Sequence, residues 1–595
     1  MRQGFRVLVS MLFVAAATAL QAGALPAVGT AQPPGYTEQL LYFSVHVGPD
    51  ESQPCTIVGQ LVLPDSASES ARVPAILTTN GFGGSYKGQI PLARTFAMNG
   101  YAALTYSGLG FGGSSCKISL DSPEYDGRAA AQLVSFLGGA EGIAFTDPEL
   151  TQPFAPLRVV ERDSRDNQGN SSVDDPRVGM VGGSYGGGVQ FAAAATDPRI
   201  DTIVPMITWN DLPYSLTPNG TSVVSGASTA VPGAAKIMFA SALFMSGVTN
   251  PQVAGYAADP ARAADCPNFQ PFMCTAITEA ATIGNLDPAV TEQLRADSVV
   301  SYIDRINIPV LLAQGQKDTL FDLNEAVATY DELRTRGVET KMIWHSWGHS
   351  NLTPAPGEFS FTAPDPETQY ETGRIFDWFD HHLKGTGTDT GPQFSYFRNW
   401  VEYDGNAEPA YASSSSYPVG VDREFHLSGD GRLVDSPVGV VPGATTITTG
   451  VAGLPTGLEA PDPKPADPVP SLALPGSQTG WTTKPLPDPL EVVGISTVTL
   501  RVRSPGQPVV FVKLYDVAED GTATLINGLV MPVRITDPSA PVPVTLPAIV
   551  HRFDAGHSIR LEVAGGDVSF RGGLESTAVT LISEGSGPLV LPVTR

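Results

Sequence analysis

The residues best suited to do chemistry lie in a glycine-rich segment around one serine. An apolar run, residues 178–181, leads into Gly182-Gly183-Ser184-Tyr185-Gly186, and an alanine-rich stretch follows from Val189. A strand that turns sharply into a helix at G-x-S-x-G presents the serine Oγ at the end of the strand, and glycines beside the serine permit the tight backbone. The segment therefore predicts Ser184 as a nucleophile.

A serine nucleophile needs a histidine to accept its proton, and in this arrangement the histidine follows the serine along the chain. The chain has eight histidines, of which one precedes Ser184, two lie in a helical pattern and three lie in the C-terminal region. The remaining two are His345, at the end of an apolar strand, and His349, in the loop after it. A loop residue can reach over the serine, so we predict His349 as the base, with His345 as the alternative.

An acidic residue must orient this histidine, and in this fold it lies between the serine and the histidine. The apolar run 308–314 is followed by Gly-Gln-Lys and then Asp318, some 30 residues before His349. We predict Asp318 as the acid. Asp322 is the alternative, but it precedes a helical stretch and equally fits a helix N-cap.

Backbone N–H groups that stabilise a developing oxyanion are expected at two places. One is the helix start behind Ser184, and the other is the glycine-rich loop 80–85 after an apolar strand. We predict the N–H groups of Phe82 and Tyr185 as the donors, with Gly83 as the alternative to Phe82. Each such donor stabilises a transition state by ~3 kcal/mol.

Two acidic features have a functional and a structural interpretation. The run 163–170, with Asp174 and Asp175, is rich in carboxylates but lacks the alternating spacing of a calcium loop, so we expect a solvated loop. Asp211 follows an apolar strand, where it could contact a substrate amine or cap a helix.

The elements that must position these residues have the pattern of an α/β protein. Runs that are apolar on both faces alternate with helical stretches, which indicates a doubly wound, mostly parallel sheet covered on both sides. The runs are Val73–Leu77, Ala102–Tyr106, Val178–Val181, Thr202–Met206, Val310–Ala313 and Lys341–Trp344. We predict an α/β-hydrolase domain from residues 37–211 and 300–390, with an edge hairpin near 40–64.

The sequence also predicts an insertion and a second domain. Residues 212–299 are mostly helix-forming and would lie above the carboxyl ends of the strands, where ligands bind in such sheets, so we expect a helical cap. From residue 391 to 595 short β-type segments recur, which favours a β-sandwich of the jelly-roll type. A proline-rich stretch, 454–475, is expected to be a surface loop.

The N-terminus has the features of a secretory signal peptide. Arg2 and Arg6 precede an apolar run that ends at Leu20, and the small residues 22–24 follow. We expect cleavage after residue 24, or alternatively after Ala31, and a secreted protein. The run is shorter than the ~20 residues of a membrane span, so stable membrane insertion is not expected. The formal charge of −25 disfavours nucleic acid as a partner.

Four cysteines form an even set, as expected in an oxidising compartment. Three pairings are possible, and the simplest joins Cys266 to the nearby Cys274 and leaves Cys55 with Cys116. Four thiols without an adjacent histidine make a poor zinc site, so no metal is expected there.

The chain resembles the X-Pro dipeptidyl-peptidase and cocaine-esterase family of α/β-hydrolases. Besides the serine motif, four segments carry the resemblance: Trp378–Gly385, Arg423–Ser428, Leu514–Gly521 and Gly556–Leu561. The resemblance implies an acyl-serine intermediate, a triad at Ser184, Asp318 and His349, and no metal or organic cofactor. This chain differs from many relatives at two places: it has Gln316-Lys317 where they have Trp-Tyr, and Phe82 where they have tyrosine.

Three functional hypotheses follow. The first, which we favour, is a serine exopeptidase that releases X-Pro or similar dipeptides. The second, the alternative, is an esterase or acylase that uses the same triad on small substrates. A peptidase of this kind should place a carboxylate in the cap to hold the free amine of its substrate. The third is an inactive binding protein, which an intact triad disfavours.

Overall fold

The computed structural model describes residues 35–363, 365–453, 455, 457–458 and 472–594. The predicted signal peptide, with both of its expected cleavage points, lies outside the described residues, as does most of the proline-rich stretch 454–475. Within the described ranges, every helix is too short or too polar to cross a bilayer.

An 11-stranded mixed sheet forms the centre of the N-terminal part. The strands up to residue 414 are β1 (Tyr36–Val47), β2 (Gln53–Pro64), β3 (Ala75–Thr79), β4 (Ala102–Tyr106), β5 (Ala144–Phe145), β6 (Val178–Gly183), β7 (Thr202–Met206), β8 (Val223–Ser225), β9 (Ser228–Thr229), β10 (Val310–Gly315), β11 (Thr340–His345), β12 (Phe394–Phe397) and β13 (Tyr411–Ser414). The sheet order is β13-β12-β11-β10-β7-β6-β3-β4-β2-β1-β5, and the pairs from β12 to β4 are parallel. The predicted mostly parallel sheet and its antiparallel edge hairpin are confirmed.

Helices cover both faces of this sheet. The α-helices of the N-terminal part, in chain order, are α1 (Tyr86–Met98), α2 (Arg128–Leu137), α3 (Tyr185–Thr196), α4 (Leu212–Leu216), α5 (Ile237–Thr249), α6 (Gln252–Ala258), α7 (Phe272–Ile283), α8 (Pro288–Ala296), α9 (Leu323–Thr335) and α10 (Tyr370–His382). Successive residues of β3, Ile76 and Leu77, lie in separate apolar cores, because side chains of a strand alternate between faces. Helices α1 and α10 pack on one core, and α2, α3 and α9 pack on the other.

The segment between β7 and β10 carries helices α4 to α8 and the small hairpin β8–β9. This segment lies over the carboxyl end of the sheet, and we call it the cap. Both expected disulfides are present: Cys266–Cys274 lies within the cap, and Cys55–Cys116 ties β2 to the loop after β4.

The C-terminal part is an all-β domain, as predicted. Its strands are β14 (Val421–Leu427), β15 (Leu433–Val434), β16 (Ala444–Thr448), β17 (Gly457–Leu458), β18 (Leu472–Ala473), β19 (Gln478–Thr482), β20 (Leu490–Gly494), β21 (Thr497–Arg503), β22 (Val509–Val517), β23 (Ala523–Arg534), β24 (Val542–Thr545), β25 (Ile549–Phe553), β26 (Ser558–Ala564), β27 (Ala578–Ile582) and β28 (Leu589–Val593). Strands β19, β26, β22 and β23 form one sheet, and nine others form a second. Their facing side chains share one apolar core.

The predicted start of the β-domain at residue 391 is too early, because strands β12 and β13 belong to the large sheet. Both follow that residue, yet they extend the large sheet, with Met342 opposite Phe394 and Tyr411 opposite Phe397. The reason is burial: all four residues of β12 are buried, three of them are aromatic, and the strand completes the sheet next to β11. We therefore place the start of the β-domain after Ser414.

Glu325 of α9 joins this helix to the chain that leaves β7. The Oε2 atom of its fully buried carboxyl group accepts hydrogen bonds from the N–H groups of Asn210 at 2.8 Å and Asp211 at 3.1 Å. Burial raises the pKa of Glu325 to about 8. Because the folded state holds the acid neutral while the unfolded chain ionises it, this group contributes stability that is present below its ordinary pKa and is lost as pH rises toward 8.

We expect Glu325→Gln to flatten the dependence of stability on pH. The amide keeps an acceptor for both N–H groups but cannot ionise, so the variant should gain free energy of unfolding relative to the wild type, by at most about 1.4 kcal/mol per pH unit between pH 5 and 8. Denaturant unfolding at several pH values measures this difference. Glu332→Gln, at an exposed position of the same helix, is the matched control. An equal pH dependence in Glu325→Gln and wild type would contradict the assignment.

Candidate functional site

Ser184 occupies a sharp turn between β6 and α3. Its backbone has φ 58° and ψ −122°, a conformation that a non-glycine residue rarely adopts. The neighbouring glycines are required by close packing, because a Cβ on Gly186 would lie 2.6 Å from the carbonyl oxygen of Thr79, and one on Gly182 would lie 2.8 Å from that of Gly186. The Ser184 N–H donates to the carbonyl of Met206 at 2.9 Å, which ties the turn to β7.

His349 lies between Ser184 and Asp318. Its Nε2 is 2.8 Å from Ser184 Oγ, and its Nδ1 is 2.7 Å from Asp318 Oδ2. The Asp318 side chain is fully buried, whereas the His349 side chain is 15% exposed. The arrangement can remove the proton from Ser184 and stabilise the imidazolium that results.

Two backbone N–H groups hold the Asp318 carboxylate in place. Its Oδ1 accepts from Leu320 at 3.0 Å and from Phe321 at 2.8 Å, while Oδ2 remains for His349. The ring of Phe321 meets the imidazole edge-on at 5.0 Å. The buried Lys236 of the cap donates from Nζ to the carbonyl of Leu320 at 2.8 Å and so fixes the same loop. Sequence reasoning missed Lys236, since a lysine in a cap carries no motif.

The alternatives to His349 and Asp318 have other contacts. His345 is buried, stacks on Trp347 at 4.1 Å and places Nδ1 2.9 Å from a carboxylate oxygen of Glu371. Asp322 caps α9, where its side chain accepts from the N–H of Asn324 at 3.1 Å. Among the contacts of the described residues, neither side chain bonds to Ser184 or His349.

The loop after β3 passes beside the serine. A Cβ on Gly81 would lie 3.8 Å from Ser184 Cβ, and the ring of Phe82 meets that of Tyr185 edge-on at 5.5 Å. In the described part of the chain, the N–H groups of Phe82, Gly83 and Tyr185 donate to no protein acceptor. The predicted donors are therefore available to an oxyanion, and the alternative at Gly83 stays open.

The side chain of Tyr185 is held from behind by two buried acids that sequence reasoning also missed. Its hydroxyl lies 3.4 Å from a carboxylate oxygen of Asp126 and accepts from the N–H of Asp121 at 3.2 Å. Burial raises the pKa of Asp126 to about 6 and that of Asp121 well above its usual range. These acids pack behind α3 and fix the residue that follows the nucleophile.

Ser184 opens into a cavity of about 90 Å³ beneath the cap. Its walls come from the carboxyl end of the sheet and from the cap, and among the described residues none of the lining side chains is charged. The cap contributes Leu212, Leu216, Ala240, Leu243, Phe244, Met273 and Ile277. All described residues that line the cavity precede residue 322, so the β-domain forms no part of this wall.

The other acidic candidates lie away from this cavity. Asp211 is buried and pairs with Arg295 at 3.0 Å, so it neither faces the cavity nor caps α4 with its side chain. Asp163 pairs with Arg177 at 2.7 Å, and Asp166 accepts from the N–H of Asn170 at 2.9 Å. The described residues contain no group of three or more side chains arranged to hold a metal ion.

Two family models match the chain. The model of the X-Pro dipeptidyl-peptidase (S15 family) matches residues 55–351, and the model of the X-Pro dipeptidyl-peptidase C-terminal non-catalytic domain matches residues 456–572. No curated protein matches the sequence significantly.

Several solved structures share the whole architecture. An aminopeptidase from a marine sediment archaeon, Thaumarchaeota archaeon, is 13% identical with a TM-score of 0.61, covering 97% of this chain and 99% of its own. An α-amino acid ester hydrolase is 16% identical with a TM-score of 0.60, covering 96% and 98%. A CocE/NonD family hydrolase from Staphylococcus aureus is 13% identical with a TM-score of 0.59, covering 96% and 99%. At these identities the likeness shows a common fold.

The two acids in the loop after β10 can be separated by one isosteric change each. We expect Asp318→Asn to slow the reaction of Ser184 with a fluorophosphonate by about 10³-fold or more, because the amide favours the wrong imidazole tautomer. Asp322→Asn keeps a good N-cap and should react within about 2-fold of the wild type. The rate of fluorophosphonate labelling, measured for both variants and the wild type, tests this assignment. Slow labelling of Asp322→Asn beside near wild-type labelling of Asp318→Asn would identify Asp322 as the acid.

Proposed function

Since the chain belongs to the X-Pro dipeptidyl-peptidase (S15) family of serine hydrolases, which cleave peptide or ester bonds, we propose that it hydrolyses carboxylic esters with an apolar acyl group through an acyl-enzyme at Ser184. The observation that carries this proposal is the apolar cavity into which Ser184 opens. An acyl chain bound there removes apolar surface from water, which is favourable by about 25 cal/mol per Å².

The same cavity disfavours an X-Pro exopeptidase, the first of the hypotheses raised by the sequence. Such an enzyme must hold the free ammonium of a peptide close to the nucleophile, and an ammonium in an apolar site without a counter-charge costs several kcal/mol. No described lining residue carries a carboxylate, and Asp211, the residue that could have contacted a substrate amine, is already paired with Arg295. The esterase or acylase hypothesis requires no such group.

Acylation begins when Ser184 Oγ attacks the ester carbonyl carbon while its proton moves to His349 Nε2. The carbonyl oxygen becomes an oxyanion that accepts hydrogen bonds from the N–H groups of Phe82 and Tyr185. Asp318 stabilises the imidazolium through Nδ1. Collapse of this intermediate breaks the bond to the alcohol oxygen, which takes the proton from His349, and the acyl group stays on Ser184.

Deacylation repeats these steps with water. His349 accepts a proton from the water, the oxygen attacks the acyl carbon, and the same two N–H groups stabilise the second oxyanion. His349 then returns the proton to Ser184 Oγ as the acyl bond breaks. The released acid ionises at neutral pH, and its carboxylate leaves the apolar cavity because burial of an unpaired charge is unfavourable.

We further propose that the protein acts outside the cytoplasm. The features of a signal peptide in residues 1–24 and the two disulfides support this placement. The hydrogen bonds that join Ser184, His349 and Asp318 count against an inactive binding protein, because loss of function usually removes one of these groups first.

A substrate series tests the proposed reaction. We expect kcat/KM for p-nitrophenyl acetate, butyrate and hexanoate to rise by about 4-fold for each buried CH₂, equivalent to about 0.8 kcal/mol, until the cavity is filled. Gly-Pro and Ala-Pro p-nitroanilides should be turned over at least about 100-fold less efficiently, because their ammonium groups would lack a partner. Ser184→Ala is the control and should abolish all turnover. Preference for the p-nitroanilides would support the exopeptidase instead.

A pair of charge substitutions tests the role of the cavity. Leu243 and Met245 are two residues apart on α5, but Leu243 lines the cavity and Met245 is 57% exposed. We expect Leu243→Asp to lower kcat/KM for the hexanoate ester by about 10-fold or more, because the carboxylate brings water and charge to the acyl site. Met245→Asp should change it by less than about 2-fold. Equal effects of the two substitutions would show that the acyl group binds elsewhere.

A further inference from the structure

We propose that Asn250, the residue at the end of cap helix α5, is a positioning residue for the oxyanion loop after β3. This inference rests on the proposed function, because it concerns how the loop stabilises the oxyanion. The cap would then have two roles. It lines the cavity, and through the side-chain amide of Asn250 it orients a backbone hydrogen-bond donor of the catalytic domain, the Phe82 N–H.

Asn250 uses both ends of its side-chain amide on two loops of the catalytic domain. Its Nδ2 donates to the carbonyl of Gly83 at 2.9 Å, and its Oδ1 accepts from the N–H of Gly112 at 3.0 Å. A carboxylate could satisfy only the second contact and an aliphatic side chain neither. The pair of bonds therefore calls for an amide.

The bond to Gly83 continues through two peptide units to the predicted oxyanion donor. The Gly83 carbonyl and the Gly84 N–H belong to one peptide unit, and this N–H donates to the Gly81 carbonyl at 3.0 Å. The Gly81 carbonyl and the Phe82 N–H belong to the next unit. Hydrogen bonds in series polarise and orient one another, so the donor on Asn250 strengthens and aims the Phe82 N–H.

The end of α5 also presses directly on this loop. Gly83 has φ +80°, and a Cβ there would lie 2.4 Å from Ser246 Oγ, one helical turn before Asn250. The Asn250 N–H donates to the Ser246 carbonyl at 3.0 Å, so both residues are held in one rigid turn. Gly83 is therefore confined by its own backbone conformation and by the cap.

The loop after β4 also packs against Phe82. Gly112, which donates to Asn250, follows Phe111, whose ring meets the ring of Phe82 edge-on at 5.1 Å. A Cβ on Gly112 would lie 2.5 Å from Ser107 Oγ, so this loop is closely packed as well. Asn250 thus joins the loop that carries Phe82 to the loop that packs against the Phe82 ring, and it fixes their separation.

The cap does not depend on Asn250 for its attachment. The buried Arg262 donates to the carbonyls of Gly110 at 2.9 Å and Ser114 at 3.1 Å, and the buried Asn268 links Gly110 to Gly247 of α5 at 3.1 and 2.8 Å. The removal of the Asn250 amide should leave this network, and with it the cavity wall, in place. Its loss should therefore act on the transition state more than on substrate binding.

The experiment compares Asn250→Leu and Asn250→Asp with the wild type in hydrolysis of p-nitrophenyl butyrate by the full-length chain. We expect kcat to fall by about 10-fold or more in both, with KM changed by less than about 3-fold, because a misdirected donor weakens only the developing oxyanion. The inhibition constant of an alkyl trifluoromethyl ketone, which forms an oxyanion on the serine, should rise by the same factor as kcat/KM falls. Asn250→Asp keeps the acceptor for the Gly112 N–H and loses only the donor to the Gly83 carbonyl. It therefore tests the same role if Asn250→Leu does not fold.

Thr249→Ala is the matched control, because the Thr249 hydroxyl bonds only to carbonyls of its own helix among the described contacts. It should match the wild type in kcat, KM and inhibition constant. A wild-type kcat in both Asn250 variants, beside an inactive Ser184→Ala, would overturn the positioning role alone. A fall in kcat with an unchanged inhibition constant would also overturn it. Full turnover by Ser184→Ala would overturn the proposed function and this inference together.

Discussion

The hydrogen bond between His349 Nε2 and Ser184 Oγ joins two residues that are 165 positions apart in the chain. It forms because β6 and β11 end at the same edge of a parallel sheet, with β7 and β10 between them. The turn at Ser184 has a backbone conformation that an isolated peptide would avoid, so the surrounding packing must supply the free energy that maintains it. The glycines on both sides, the tie to Met206 and the buried acids behind Tyr185 each contribute to that packing.

The cap gives this serine its chemical environment. Helix α5 contains no charged residue, and its inward side chains Leu243 and Phe244 face the cavity above Ser184. At its end, Asn250 contacts the loop that carries Phe82. One helix thus links the apolar acyl site to the polar oxyanion site. An esterase of this kind needs both sites, because burial of the acyl chain stabilises substrate binding while fixed N–H donors stabilise the negative charge that develops on the carbonyl oxygen.

The β-domain stabilises the catalytic domain and the cap without lining the described cavity. It hydrogen-bonds to the cap, where the Gly220 N–H donates to the carbonyl of Pro532 in β23 at 2.8 Å. It also bonds to α9, where the Asn324 side chain accepts from the N–H of Ala548, in the loop before β25, at 2.9 Å. Asn324 follows Asp322, the N-cap of the helix behind the acid loop. The β-domain therefore supports the Asp318 loop from outside, which gives a physical reason for the two domains to occur together.

Sequence alone determined the elements whose signals are local. Runs apolar on both faces identified the parallel strands, and the glycines around Ser184 identified the turn, because burial and a tight backbone each restrict residue type directly. The order of serine, acid and histidine along the chain, together with the predicted strand ends, then narrowed the partners of Ser184 to two histidines and two acids. The all-β character of the C-terminal part could also be predicted from its recurring short strands. Its boundary could not, since β12 is as apolar as a sandwich strand and only strand pairing shows which sheet it joins.

Only the tertiary structure decided which side chains face one another. The sequence of the cap contains both acids and apolar residues, but its periodicity does not show that apolar residues, and no acid of the described cap, line the cavity at Ser184. Asp211 illustrates this, because its pairing with Arg295 joins positions 84 apart and leaves no local trace. The same holds for Lys236, Asp126 and Asn250. Each is an ordinary residue in the sequence, and each becomes important only through a contact with a distant part of the chain.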